Sequence, residues 1–163
     1  MATDKLTILM IDDDPEDIAI VRGMLERVPV WSVELLACLD VAQAAQQVHQ
    51  RKPDLILLDF NFGVASGLDV LPAIRNSGFS GPIILLSGCG KDDVASMVVA
   101  GLSDFLSKDS LSSLTLYHAI TLAMEKQQLP AQKGDAAAAA SPADRTRRTP
   151  STTSSSPPRV RYQ

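Results

Sequence analysis

Four consecutive apolar residues, 55–58 (LILL), stand directly before the carboxylate of Asp59. Four residues are too few for a helix and show no polar alternation, so they predict a parallel strand that is buried on both faces. Ligands of an open parallel sheet bind at the carboxyl ends of its strands. Asp59 is the first polar group at such an end and is therefore a candidate site residue, and Gly63 and Gly67 in the following loop leave room for a ligand.

The rest of the chain repeats this pattern of a short apolar strand followed by a helical segment. The mixed pattern of the second strand, which contains Glu34, indicates a strand at the edge of the sheet, and Pro72 predicts a bend or loosened turn in the third helix. Five strands alternating with five helices predict an α/β fold with a doubly wound parallel sheet and helices on both faces. The predicted strands cover residues 6–11, 32–39, 55–59, 82–87 and 104–107, and the predicted helices cover residues 15–28, 40–51, 67–76, 91–101 and 110–128.

Composition divides the chain near residue 129. The 163 residues, 45% of them apolar, are enough for one domain with a substantial core, which we assign to residues 1–129. This part holds 9 Lys and Arg against 17 Asp and Glu, a net charge of -8, and is a poor candidate for nucleic-acid binding. Residues 130–163, with a net charge of +4, are rich in Ala, Ser, Thr and Pro with scattered Arg, and predict a disordered tail. Sparse charge favours a solvated linker over an electrostatic tether for this tail.

Two further features bear on the environment of the protein. No apolar stretch approaches the length of a membrane span, and no basic region precedes a long apolar run at the N-terminus. Cys38 and Cys89 are far apart and lack the spacing of a metal or redox motif. We therefore expect a soluble, cytoplasmic protein without membrane contact.

Three carboxylates are predicted to meet at one point of the sheet. A five-stranded sheet of this class commonly has the strand order 2-1-3-4-5, which brings Asp12 and Asp13, after the first strand, beside Asp59. Unless some of them are protonated, their mutual repulsion calls for a cation, and an all-oxygen set with room for water suits Mg²⁺ or Mn²⁺. A metal held by so few protein groups is expected to be shared with a phosphate.

The fourth and fifth strands end in two further polar groups, Ser87 and Lys108. The same strand order places this hydroxyl and this ammonium on the other side of the crevice from the acidic pair. With a metal, they would form an electrostatic clamp for a phosphoryl group attached to Asp59. An acidic pair, a single acid, a hydroxyl and a lysine, each at a strand end and in this order, is a specific signal.

With these motifs the chain resembles the receiver domain of bacterial two-component response regulators, over residues 5 to about 128. IDDDP matches the acidic-pair motif and PDLILLDF the phosphoacceptor strand, while PIILLSG and DFLSK match the hydroxyl motif and the motif that holds Phe105 and Lys108. The resemblance implies a flavodoxin-like fold and transfer of a phosphoryl group to Asp59 from a histidine of a sensor kinase or phosphotransfer protein. It also implies Mg²⁺ bound by Asp13, Asp59 and the backbone carbonyl of Asn61, with Asp12 helping mainly through water.

The resemblance further implies a conformational switch rather than a turnover enzyme. Ser87 would move toward the phosphoryl group and the ring of Phe105 would turn inward, which reshapes a face made of the fourth helix, fifth strand and fifth helix. We expect an unidentified output protein, or a second copy of the chain, to dock on this face. Its predicted apolar residues are Val98, Val99, Leu114, Leu116, Tyr117, Ile120, Leu122 and Met124.

Three departures from the family pattern are visible. Asp109 follows Lys108 where proline is usual, so the cis peptide of the family is not expected, and Gly63 stands where proline is common. Phe105 replaces the commoner tyrosine and lacks its hydroxyl. None of these changes removes a group that phosphorylation requires.

Two other functions are compatible with parts of this pattern. A flavodoxin-like electron carrier shares the sheet order, but the acidic turn at Asp12–Asp14 would repel the phosphate of a flavin. A phosphate-independent interaction module would keep the fold without the chemistry, and the complete acidic set argues against it. No DNA-binding, cyclase or kinase segment is recognisable after residue 129, so the sequence predicts a single-domain regulator that acts by docking.

Overall fold

The computed structural model describes residues 5–63, 65–88 and 101–128. The chain divides into two units, Met1–Ala131 and Gln132–Gln163, and all described residues belong to the first. The predicted tail, Cys89 and nearly all of the predicted fourth helix, including Val98 and Val99, lie outside the described residues. Within the described ranges, no helix has the length and apolarity that crossing a bilayer requires.

Five parallel strands form the central sheet: β1 (Lys5–Ile11), β2 (Ser32–Cys38), β3 (Leu55–Asp59), β4 (Ile83–Ser87) and β5 (Asp104–Ser107). Their order in the sheet is β2-β1-β3-β4-β5. Every residue of β3 and β4 is buried, whereas β2 lies at one edge and only Leu35 and Cys38 of its residues are buried. The predicted fold, strand order and edge position of the second strand are therefore confirmed.

Helices α1 (Pro15–Glu26), α2 (Ala44–Arg51), α3 (Leu71–Asn76) and the last helix (Ser113–Gln128) connect or follow these strands. The side chain of Asp14 accepts a hydrogen bond of 2.8 Å from the backbone N–H of Glu16 and thereby caps α1.

The other three helices each follow a 3₁₀ turn, at Val41–Gln43, Gly67–Val70 and Lys108–Ser110. Pro72 lies in the first turn of α3, where a missing N–H costs no helical hydrogen bond. The predicted loosening of this helical segment is a change from 3₁₀ to α geometry that lies just before Pro72, between Val70 and Leu71.

Neighbouring residues of the central strands pack on opposite faces of the sheet. Ile8, Met10 and Leu57 belong to a core with α1 and the last helix, whereas Leu9 and Ile56 belong to a core with α2 and α3. Because both faces are covered by helices, the inner strands have no solvated side on which a charged group could lie. On the inner strands, charged side chains are therefore confined to the strand ends.

Candidate functional site

Three carboxylates converge at the carboxyl end of the sheet. Asp12 directly follows β1 and Asp59 ends β3, and these two strands are paired with Ile11 opposite Leu58. Asp12 and Asp59 are buried, Asp13 is exposed, and a carboxylate oxygen of each lies within 4.8 Å of the others. The structure thus brings together the acidic set that the sequence indicated.

Lys108 contributes the positive charge at this site. It begins the turn that follows β5, and its Nζ lies 3.0 Å from Oδ2 of Asp12, 2.8 Å from Oδ1 of Asp59 and 2.6 Å from Oδ2 of Asp17. All three contacts are ion pairs, and those with Asp12 and Asp17 are also hydrogen bonds. Asp17, which lies in the first turn of α1, is not among the site residues that the sequence pattern indicated.

Burial and repulsion act on the protonation of the two buried acids. Burial raises the pKa of Asp59, and the contact with Lys108 offsets only part of this effect. Burial also raises the pKa of Asp12, with a smaller contribution from the charge of Asp59. Burial alone would lower the pKa of Lys108, but its contacts with Asp17, Asp59 and Asp12 outweigh it and raise the pKa. The ammonium of Lys108 therefore remains charged. Its single positive charge does not balance the negative charges of the three carboxylates around it.

The oxygen set fits a hard divalent cation. Oδ1 of Asp59 is buried, and the Lys108 ammonium that lies 2.8 Å from it is shared with Asp12 and Asp17, so the negative charge of the cluster is only partly compensated. Two buried carboxylates and one exposed carboxylate provide oxygen ligands and an opening toward water, as Mg²⁺ requires. The cluster at Asp12, Asp13 and Asp59 could thus hold a metal.

The loop after β3 approaches the backbone of Asp59 closely. The N–H of Gly67 donates a hydrogen bond of 2.7 Å to the carbonyl oxygen of Phe60, and a Cβ on Gly67 would lie 2.0 Å from the carbonyl oxygen of Asp59. Only glycine fits this position. Within the loop, Asn61–Phe62 pairs with Ala65–Ser66, and the backbone N–H of Asn61 donates a hydrogen bond to the Asp59 carboxylate.

The remaining predicted site residues lie on β4 and β5. Ser87 is buried at the carboxyl end of β4, one residue beyond Leu86, which is the partner of Asp59 in the sheet. Phe105 lies on β5 and is half-buried against the core on the α2 and α3 side. No cis peptide occurs in the described part of the chain, in agreement with the expectation for Asp109. Gly63 has a positive φ of 58°, which a proline could not adopt.

A family model described as "Response regulator receiver domain" matches residues 8–121. Among curated proteins, the "Nitrate/nitrite response regulator protein homolog" of Haemophilus influenzae is 34% identical over 112 residues, which cover 66% of this chain and 51% of that protein. The transcriptional regulatory protein PrrA of Mycobacterium tuberculosis is 32% identical over 103 residues, which cover 62% of this chain and 42% of that protein. The chain therefore spans about half the length of these relatives or less.

Solved structures of receiver domains resemble the fold. The Francisella response regulator 1452 receiver domain has a TM-score of 0.65 at 18% identity, over 76% of this chain and 99% of that one. The BeF₃-activated N-terminal receiver domain of Klebsiella pneumoniae RstA has a TM-score of 0.63 at 24% identity, over 72% of this chain and 97% of that one. At these identities the similarity establishes the fold alone.

Proposed function

Because the chain belongs to the response regulator receiver domain family, we propose that it is a phosphorylation-dependent signalling switch whose phosphoacceptor is Asp59. The observation that carries this proposal is the buried acidic cluster around Lys108, in which Asp59 lies at the end of the central strand. We further propose that residues 1–129 perform this chemistry and that residues 130–163, as a disordered tail, are not needed for it.

The proposed reaction is nucleophilic transfer to a carboxylate. An oxygen of Asp59 attacks the phosphorus of a phosphohistidine in a sensor kinase or phosphotransfer protein, and the phosphorus–nitrogen bond breaks with its electron pair going to the imidazole. With a small donor such as acetyl phosphate, the phosphorus–oxygen bond breaks instead and acetate leaves. Asp59 becomes an acyl phosphate in either case. Each chain accepts one phosphoryl group and undergoes no cycle on a separate substrate, so the protein is a switch rather than a turnover enzyme.

The surrounding residues stabilise the charge that develops during transfer. Lys108 faces the phosphoryl oxygens from β5, and the hydroxyl of Ser87 is a donor from β4. Asp12, Asp13, Asp59 and the backbone carbonyl of Asn61 are the groups that would hold Mg²⁺, with Mn²⁺ as a substitute. The cation would supply positive charge between the acidic cluster and the incoming phosphoryl group.

The proposed output is a docking event controlled by Ser87 and Phe105. Phe105 is half-buried, so its ring can turn further inward if Ser87 moves toward a phosphoryl group. On the last helix, Leu114 and Leu122 are 62% and 51% exposed, which supports a docking face there, while Leu116 and Ile120 are buried in the core. We propose that an output protein or a second copy of the chain binds this face together with β5 and residues 91–101.

Intact mass spectrometry tests the assignment. The full chain, incubated with acetyl phosphate and Mg²⁺, should gain one phosphoryl group, and Asp59→Asn should gain none. Asp54→Asn is the matched control, because it makes the same chemical change at the opposite end of β3, and it should be labelled like the wild type. A label that persists in Asp59→Asn would refute the acceptor assignment, and a wild type that is never labelled would favour the phosphate-independent interaction module.

A further inference from the structure

Asp17 makes the shortest of the three carboxylate contacts to Lys108, although it belongs to α1 and not to a strand end. We propose that Asp17 is a positioning residue that competes with the phosphoryl site for the ammonium of Lys108, and that Lys108 leaves Asp17 when Asp59 is phosphorylated. This inference rests on the proposed function, since it concerns how the same site changes between its two states.

The hydrogen bonds of Lys108 show the competition. Of the three carboxylates around its Nζ, Asp12 and Asp17 accept hydrogen bonds, at 3.0 and 2.6 Å. Asp59 forms a third ion pair with the same Nζ, at 2.8 Å. The ammonium is thus shared among three carboxylates, and its shortest contact is the one with Asp17.

Phosphorylation changes the balance between these partners. A phosphoryl group adds roughly one and a half to two negative charges and three strong acceptor oxygens close to Asp59. Asp17 carries one charge, and its side chain is 32% exposed, so water can replace the ammonium at its carboxylate. The phosphoryl oxygens are therefore the stronger acceptors for Lys108 once they are present.

The surroundings of the lysine allow it to move. A cavity of about 70 Å³, lined by Asp17, Lys108, Met24 and Leu111 among others, lies next to the ion pair. The side chain of Lys108 is itself 22% exposed. The flexible stem of Lys108 is therefore not closely packed on all sides.

A thermodynamic consequence distinguishes competition from simple support. If Asp17 binds Lys108 only in the unphosphorylated state, it stabilises that state and weakens binding of a phosphoryl group. Removing its charge should then raise the affinity of the site for a phosphoryl analogue. If Asp17 merely holds the lysine in place in both states, removing the charge should leave that affinity unchanged or lower it.

Beryllium trifluoride, which adds to a carboxylate oxygen as a phosphoryl mimic, provides the measurement. In the full chain at a fixed Mg²⁺ concentration, Asp17→Asn should lower the half-saturating concentration of the mimic about two- to fivefold, as expected for a partly exposed ion pair. Glu16→Gln is the matched control, because it removes the same charge from the neighbouring, exposed position of α1. It should change the half-saturating concentration by much less.

A second, spectroscopic measurement uses the wild-type protein and therefore does not depend on whether the variant folds. In the wild type, the side-chain carboxyl carbon resonance of Asp17 should shift when the mimic is added, because its ammonium partner leaves. A resonance that stays constant, or equal affinities of Asp17→Asn and Glu16→Gln for the mimic, would overturn the inference while leaving the proposed function intact. If the wild-type protein neither binds the mimic nor accepts a phosphoryl group, both the inference about Asp17 and the proposed function are wrong.

Discussion

The two ends of the central sheet differ in how completely their charged side chains are paired. At the carboxyl end, Asp12, Asp59 and Lys108 contact one another, and acids outnumber the base. At the amino end, Oδ2 of Asp54 accepts a hydrogen bond of 2.8 Å from the N–H of Thr7, and the exposed Lys5 and Glu34 form an ion pair of 2.8 Å. The first arrangement leaves charge available to a ligand, whereas the second satisfies it within the chain.

Arg75, at the amino end, is also satisfied by hydrogen bonds to the backbone. Its guanidinium donates hydrogen bonds to the carbonyl oxygens of Phe79, Gly81 and Gly101, at 3.2, 2.8 and 3.2 Å, and lies 5.6 Å from the ring centre of Phe79. Burial lowers its pKa, and within the described residues it forms no ion pair with an acid. Arg75 therefore joins three stretches of backbone and is a structural residue.

Cavity volume alone does not identify the site. A cavity of about 440 Å³ lies at the amino end, lined by Lys52, Asp54, Gly78 and Phe79 among others, and a cavity of about 70 Å³ lies beside Lys108. The convergence of carboxylates around one ammonium is the better guide to chemistry in this molecule. Substitutions at the two ends should accordingly separate stability from phosphorylation.

Arg75→Ala should have the largest effect on stability. Loss of three charged hydrogen bonds and of the contact with Phe79 should lower the free energy of unfolding by about 2 to 3 kcal/mol. Denaturant titration measures this loss, and labelling by acetyl phosphate at a temperature where the variant is folded should match the wild type. Loss of labelling in the folded variant would show that the two ends are not separable.

Asp59→Asn should change the free energy of unfolding in the opposite direction from Arg75→Ala. In the absence of Mg²⁺ at neutral pH, it should raise the free energy of unfolding by about 2 kcal/mol, because it removes a charge from a buried and crowded cluster. Burial raises the pKa of Asp59 in the folded chain above its usual value of 3.8, so the charged form penalises folding at neutral pH. This penalty falls as the pH drops through the folded-state pKa and is absent below about 3.8.

The stability difference between Asp59→Asn and the wild type should therefore shrink on acidification. Asp54→Asn, at the other end of the same strand, is the control and should instead lose about 0.5 kcal/mol, since it weakens a hydrogen bond to the backbone. If both variants change stability in the same direction, the contrast between the two ends is wrong.

Mg²⁺ should stabilise the wild type by less than the effects expected for Arg75→Ala and Asp59→Asn. At about tenfold its dissociation constant, a ligand that binds only the folded state adds about 1.4 kcal/mol. Thermal unfolding with and without Mg²⁺ measures this shift, which should be reduced in Asp59→Asn and retained in Arg75→Ala. Equal shifts in both variants would place the cation away from the acidic cluster.

The fold was largely predictable because its signals are local. The uninterrupted apolar runs of β3 and β4 and the mixed pattern of β2 each follow from how many faces of a strand are covered. Site residues at strand ends could be identified for the same reason, because parallel strands align their carboxyl ends. The meeting of Asp12, Asp13 and Asp59 needed only the strand order in addition.

The features that escaped prediction depend on distances between elements. Asp17 reads as an ordinary acidic residue in the first turn of a helix, where it complements the helix dipole, and nothing local reveals that α1 brings it to Lys108. The residue pattern likewise predicts one helical segment in each of these regions and does not reveal the 3₁₀ turns before α2 and α3. One signal was available for Gly67, since a glycine soon after a site residue can mark a close approach of backbone.

The closure at Gly67 bears on how such a protein could diversify. The hydrogen bond from Gly67 to Phe60 fixes both ends of the intervening loop, so the backbone that carries Asp59 is held independently of the residues at the tip. Substitutions at Asn61 or Gly63 could therefore alter what surrounds a bound phosphoryl group, and hence its lifetime, without displacing the acceptor. Descendants of this chain could explore signal durations at the tip of the loop, but Gly67, with no space for a Cβ, would have to be inherited unchanged.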